Sequence, residues 1–197
     1  MAIKRYDREY FDRWYRARRI GSPADLARTV AVAVAITEQL LGRPLRSVLD
    51  VGAGEGRWQP VLQRLRPRAR YAGVDRSGWA VGRWGRRRNL RLGNITQLDQ
   101  LGLDGPFDLI VVSDVLHYLP TPALKRGIAQ VAALLDGVAF LSAFTASDEI
   151  EGDRAQFQRR GAAAYRRLFR SAGLVPVGMF AWTTVTRARG LAELERP

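Results

Sequence analysis

Ser47-Val48-Leu49-Asp50-Val51-Gly52-Ala53-Gly54-Glu55-Gly56-Arg57-Trp58 decides how this chain reads. Ser47 to Val51 is a short, mostly apolar run, the pattern of a strand buried on both faces. Three glycines then alternate, Gly52, Gly54 and Gly56, before Val61, Leu62 and Leu65 recur at helical spacing. Strand, glycine turn and helix form the first half of a nucleotide-binding βαβ unit. Glycine suits the turn because a Cβ would hold the backbone off a ligand and because such turns need positive φ. The following helix N-terminus offers N–H groups and partial positive charge to an anionic group.

The dinucleotide fingerprint places its third glycine five residues after the first. Here the spacing is G-x-G-x-G, with Asp50 two residues ahead of it. An acid there implies a ligand with an amino group near the strand end. The run D-V-G-A-G-E-G resembles the first motif of class I S-adenosylmethionine (SAM)-dependent methyltransferases. The resemblance implies that Gly52, Gly54 and Gly56 lie against the methionine part of the cofactor. It also implies that Asp50 holds the ammonium, directly or through water. A tight turn that needs glycine only for its backbone would leave the same trace.

The length, 197 residues, suits one domain with a full core. We expect residues 1–197 to form that domain, with 1–43 as a helical cap and 44–190 as a Rossmann-like core. Without cysteine there is no disulfide, thiolate metal site or thiol nucleophile. The single histidine, His117, leaves no cluster for zinc, and no metal is expected. No signal peptide is visible, and the longest apolar run, Val30 to Ile36, is too short to span a membrane. A cytoplasmic location, without membrane association, is expected. The net charge of +13 invites a nucleic-acid reading. Yet the basic residues are nearly all arginine, with Lys4 and Lys125 the only lysines, and they are scattered along the chain. Solvated arginine faces are favoured over polyanion binding. Monomer and homodimer both stay open.

Tyr6, Tyr10, Phe11, Trp14 and Tyr15 recur at helical spacing, predicting an amphipathic helix over Ile3 to Arg18. Ser22-Pro23-Ala24-Asp25 is a helix start, with Ser22 as N-cap and Pro23 at N1. That helix should run to about Leu41 and stop at Gly42. Ala69 to Asp75, Leu90 to Leu92, Phe107 to Ser113 and Val138 to Phe144 read as further strands. Helices are expected between them, the one from Thr121 ending at Asp136-Gly137. A polar stretch, Thr145 to Gly161, reads as a substrate-side loop. Tyr165 to Ala172 reads as a last helix and Leu174 to Thr184 as an edge strand. The architecture expected is α/β: a three-layer sandwich around a mostly parallel six- or seven-stranded sheet. The strand order is 3-2-1-4-5, then an edge strand or hairpin. The resembling family closes with an antiparallel hairpin, whose last strand could be short or missing here.

Asp75 lies twenty-one residues past Gly54 at a strand tip, placed to take both ribose hydroxyls. The resemblance brings in Arg76 beside it. It also brings in Gly93-Asn94-Ile95, where the family often has an acid that accepts from the adenine amino group. The amide oxygen of Asn94 can accept the same bond. F-D-L-I-V-V-S-D-V-L-H-Y-L, from Phe107 to Leu119, resembles the fourth-strand motif of small-molecule methyltransferases. It implies that Ser113 lies beside the sulfonium and that Asp114, His117 and Tyr118 face the substrate. The Asn/Asp-Pro-Pro-aromatic motif of base-amine methyltransferases is not found there.

In that family, N-terminal helices cover the cofactor and shape the acceptor pocket, so Tyr6, Tyr10 and Trp14 are lid candidates. His117 is the candidate general base, because histidine titrates near neutrality. The expected activity is methyl transfer from SAM to an oxygen or nitrogen of a small molecule. An RNA methyltransferase and a SAM-binding protein without catalysis are the alternatives.

Overall fold

The structure is a computed structural model that describes residues 6–17, 21–150 and 153–193. Of the expected first helix, residues 3–5 and Arg18 lie outside the described residues. The rest begins as α1 (Arg8–Phe11), N-capped by Asp7, and continues as a π-helical turn, Asp12–Ala17. Helix α2 (Pro23–Leu41) follows, with the Ser22 hydroxyl accepting from the Asp25 N–H and Gly42 closing it in the left-handed conformation.

Five parallel strands form the body of the sheet: β1 (Ser47–Val51), β2 (Arg70–Asp75), β3 (Leu90–Leu92), β4 (Phe107–Ser113) and β5 (Leu135–Ser142). They alternate with α3 (Trp58–Leu65), α4 (Gly78–Arg88), a 3₁₀ segment (Ile95–Gln100) and α5 (Thr121–Ala133). After a loop come α6 (Ala162–Ser171), β6 (Leu174–Gly178), β7 (Ala181–Thr184) and a short α7 (Val185–Ala188). The strand order is β3-β2-β1-β4-β5-β7-β6, with β7 antiparallel to both neighbours. Side chains from α2 and α3 pack with Val48, Leu109 and Val138 on one face of the sheet. Those from α5, α6 and the 3₁₀ segment pack with Leu49, Ile110 and Ala139 on the other. Adjacent strand residues point to opposite faces, so β1, fully buried, reads as one apolar run with Asp50 inside it.

Two boundaries differ from the sequence expectation. The edge is the hairpin that the expected order allowed, and Leu174 to Thr184, read as one strand, is split in two where Met179 and Phe180 turn the chain, both at positive φ. Hairpin turns of that hand are normally marked by Asn-Gly or Asp-Gly. Asp136-Gly137 does not end α5 but lies inside β5, where the pairing with β4 slips between Phe107 and Leu109. Helix α5 instead runs straight into β5 after Leu134, whose N–H donates to both Gln130 and Val131. The extra residue of this bulge turns Asp136 outward to pair with Arg187 and, at 3.6 Å, Arg43. A Cβ on Gly137 would lie 2.2 Å from the Asp108 carbonyl oxygen, a backbone atom. Gly137→Ala should therefore lower stability by about 1–3 kcal/mol, the range of overpacked cores, as read by urea unfolding.

Arg43 also makes two 2.8 Å bonds to the Asp108 carboxylate, which accepts from the Arg46 N–H as well. Burial opposes the charge, but these partners hold the Asp108 carboxyl below its ordinary range. Among the described residues no helix is long and apolar enough to cross a membrane.

Candidate active site

A cleft opens at the carboxyl ends of β1, β2, β3 and β4, where a doubly wound sheet binds ligands. It encloses about 870 Å³ of empty space, its open mouth included. Val51, Gly52 and Gly54 line it from β1 and its turn, Asp75 and Arg76 from the β2 tip, and Asn94 and Ile95 from beyond β3. Ser113, Asp114 and Tyr118 line it from β4 and beyond, and Tyr6, Tyr10, Phe11 and Tyr15 roof it from the N-terminal segment.

The glycine loop is shaped by bonds within the protein. Gly52 and Ala53 donate to the Val74 carbonyl, Gly56 to Ala53, and Gly54 to Asp75 Oδ2 at 2.7 Å. With these four N–H groups spent, the loop forms a floor rather than a row of donors. Gly52, Gly54 and Gly56 all have positive φ, as expected. Gly56 packs under Leu90 and Arg88, outside the cleft lining.

Asp75 is the hub. Its Oδ1 accepts from the Ser77 N–H at 2.7 Å, so one carboxylate fixes the loop and the start of α4 together. Burial raises its carboxyl above the ordinary range, while Ser77, Gly54 and Arg76 pull it down. An ionised carboxylate offers about four lone-pair directions. Two are used here, which leaves acceptor capacity for a diol.

Asp50 does not reach the cleft. It shares the face of β1 that carries Val48, beneath α2 and α3, and is 3% exposed. Its Oδ2 accepts from the Tyr71 hydroxyl at 2.7 Å. It does lie on the strand next to Asp75, opposite Gly73, and Asp75 adds to the upward shift of its carboxyl. The two acids are neighbours, but only Asp75 meets a ligand-sized space. Spacing placed Asp50 near the strand tip, and strand alternation turned it away.

His117 is likewise sealed, 1% exposed. It packs against Tyr118, Phe144 and Phe157, and its Nδ1 accepts from the Phe144 N–H at 3.4 Å. It sits in the 3₁₀ turn Leu116–Tyr118, whose next residue, Tyr118, points to the cleft instead. Trp14 is half-buried and outside the lining. The Asn94 side-chain oxygen caps the 3₁₀ segment by accepting from the Thr96 N–H, with one lone pair remaining.

Tyr15, absent from the sequence candidates, lines the cleft together with Tyr10. Residues five apart diverge on an α-helix but share a side of a π-turn, which is wider. The helical period was legible; the change of pitch was not. Several bonds fasten this roof. Arg16 pairs with Glu55 of the glycine loop at 2.7 Å, and Phe11 stacks on Trp79 at 5.1 Å. Ser77 donates to the Tyr6 carbonyl, and the Arg76 guanidinium lies 5.3 Å from the Tyr6 ring centre.

A family profile described as a methyltransferase domain matches residues 15–193. The chain belongs to this family, the class I SAM-dependent methyltransferases. A 1,6-didemethyltoxoflavin-N1-methyltransferase from Burkholderia thailandensis is 28% identical, with TM-score 0.57 over 86% of this chain and 75% of its own. Its structure holds 1,6-didemethyltoxoflavin and S-adenosylhomocysteine (SAH). Streptomyces venezuelae DesVI superposes with TM-score 0.65 at 16% identity, over 89% of this chain and 92% of its own. Magnesium protoporphyrin IX methyltransferase from Synechocystis gives 0.58 at 22%, over 80% and 83%. Both share the fold. Comparison with curated protein sequences finds no match.

Proposed function

We propose that this enzyme transfers a methyl group from SAM to an oxygen or nitrogen of a small molecule. On this reading residues 1–43 serve as the cap and 44–190 as the core of one domain. The observation that carries it is the roofed cleft. A buried acceptor, Asp75, lines it at the β2 tip, Asp114 lines it past the β4 tip, and tyrosines roof it. The donor set fits the cofactor. Asp75 would accept from the ribose hydroxyls and Asn94 from the adenine amino group, and Val51, Val74 and Ile95 supply apolar walls. Gly52 and Gly54 would let the floor come close to the methionine part, Arg76 would lie on the ribose side, and Ser113 would line the methyl-transfer side. SAM, when bound, supplies a methyl group already activated by the sulfonium charge.

The protein's task is then to align the nucleophile and exclude water. Alignment alone can supply up to roughly 7–11 kcal/mol. Tyr6, Tyr10, Phe11 and Tyr15 close the cleft from above, and Tyr118 walls the acceptor side. The acceptor's size is bounded by this roof, which favours a small molecule over RNA.

The test is incubation with methyl-labelled SAM and fractionated cell extract. Label should enter a small-molecule fraction. Label confined to RNA would overturn the acceptor class, and no labelled product in any fraction would overturn the activity.

A further inference from the structure

We infer that the methyl acceptor is an amine, received as an ammonium ion beside Asp114, which takes its proton. This rests on the methyltransferase reading and names the substrate class of the same cleft. Asp114 follows the tip of β4 at φ +59°, a left-handed conformation that, glycine aside, aspartate and asparagine tolerate best. Such residues cluster at functional sites. The turn leaves the side chain exposed to the cleft while the flanking Ser113 and Val115 are half-buried. Its carboxylate accepts from the Ser113 hydroxyl at 3.3 Å, and no Arg or Lys pairs with it among the described residues.

The surroundings suit a cation. Tyr6, Tyr10, Tyr15 and Tyr118 line the same cleft. Burial raises all four phenols above their ordinary range, so they stay neutral at physiological pH. Asp114 adds to the rise at Tyr15 and Tyr118, which places those hydroxyls within its field. Arg76, the one cationic residue in the described lining, sits beside Asp75 with its guanidinium over Tyr6. An anionic acceptor would therefore face Asp114 without a counter-ion. An alcohol would need a stronger base than a carboxylate, and His117 is sealed off. An amine needs only to shed one proton. Desolvation by the surrounding cleft walls lifts the Asp114 carboxyl above its ordinary range, which helps it take that proton.

The step balances. The ammonium gives a proton to Asp114 and becomes an amine. The nitrogen lone pair forms the N–CH₃ bond, and the S–CH₃ pair returns to sulfur, discharging the sulfonium. The product leaves as a methylammonium ion or as the free amine, and Asp114 returns its proton to water.

Calorimetric titration tests this with choline and its uncharged isostere, 3,3-dimethylbutan-1-ol, on SAH-loaded protein. Choline should bind about tenfold or more tightly than the isostere, as expected for a cation between aromatic rings and a carboxylate. Asp114→Asn keeps the left-handed turn and removes the charge, so it should abolish most of that preference. Equal binding of the two probes by the wild type overturns the amine assignment while SAH binding still registers. A preference unchanged in Asp114→Asn overturns the role of Asp114. Failure to bind SAH overturns the methyltransferase reading beneath both.

Discussion

Asp75→Ala should weaken SAH binding by about 100-fold or more in calorimetric titration. Two ribose hydroxyls would lose a charged acceptor, and hydrogen bonds to charged groups contribute about 1.5–3 kcal/mol each. Losing about 3 kcal/mol is roughly two decades of affinity. The same change strands the Gly54 and Ser77 N–H groups that Asp75 holds at 2.7 Å. Thermal unfolding should therefore show a loss of about 1–3 kcal/mol even without ligand. Asp75→Asn separates the two roles. Its amide oxygen can still accept from one N–H, so stability should fall less, while affinity falls with the charge. An alanine variant that binds SAH within threefold of wild type would reduce Asp75 to a loop tie.

The second large effect is a pH-dependent stability set by Asp50. Burial drives its carboxyl up to about 7, against the stabilising Tyr71 hydroxyl and with Asp75 adding to the rise. In the unfolded chain the group titrates near 3.9. A proton held more tightly by the folded state favours folding at low pH, and that advantage is lost as pH climbs. Asp50 should thus cost stability progressively between about pH 4 and 7, then level off. The total is roughly 2–4 kcal/mol, at about 1.36 kcal/mol per pKa unit. Asp50→Asn keeps an oxygen for Tyr71 and removes the titration. Its urea-unfolding free energy, compared with wild type, should be similar near pH 4 and higher by that margin near pH 8. Asp108 works in the opposite sense, because its depressed carboxyl contributes stability above the ordinary range and loses it in acid. The difference between wild type and Asp50→Asn isolates the one from the other. A difference independent of pH would mean that Asp50 stays ionised in the fold.

Much of the architecture was legible because a parallel sheet writes itself as unbroken apolar runs. Ser47–Val51, Leu90–Leu92 and Phe107–Ser113 have the expected bounds. Ser22 and Gly42 gave both ends of α2 through local capping chemistry. The features missed depend on what the chain meets in space. Gly137 reads as a helix stop, but its lack of a side chain serves the approach of the Asp108 carbonyl on the neighbouring strand. The hairpin turn uses Met179 and Phe180, residues with no local preference for positive φ, so the two turn positions themselves carry no mark in the sequence. In the site, the motif gave the β2 tip, the segment after β3 and the β4 tip, which the structure brings to one cleft. It could not say which face Asp50 would take or that aromatic rings would close over His117. Tyr15 required knowledge of a π-turn that periodicity does not carry.

The account turns on where adenosine lies. A crystal structure with SAH bound measures this directly. It should show both ribose hydroxyls within hydrogen-bond distance of the Asp75 carboxylate, the adenine edge at Asn94, and the sulfur near Ser113 with its open side toward Asp114. SAH held elsewhere on the sheet, or its ribose turned away from Asp75, would contradict it.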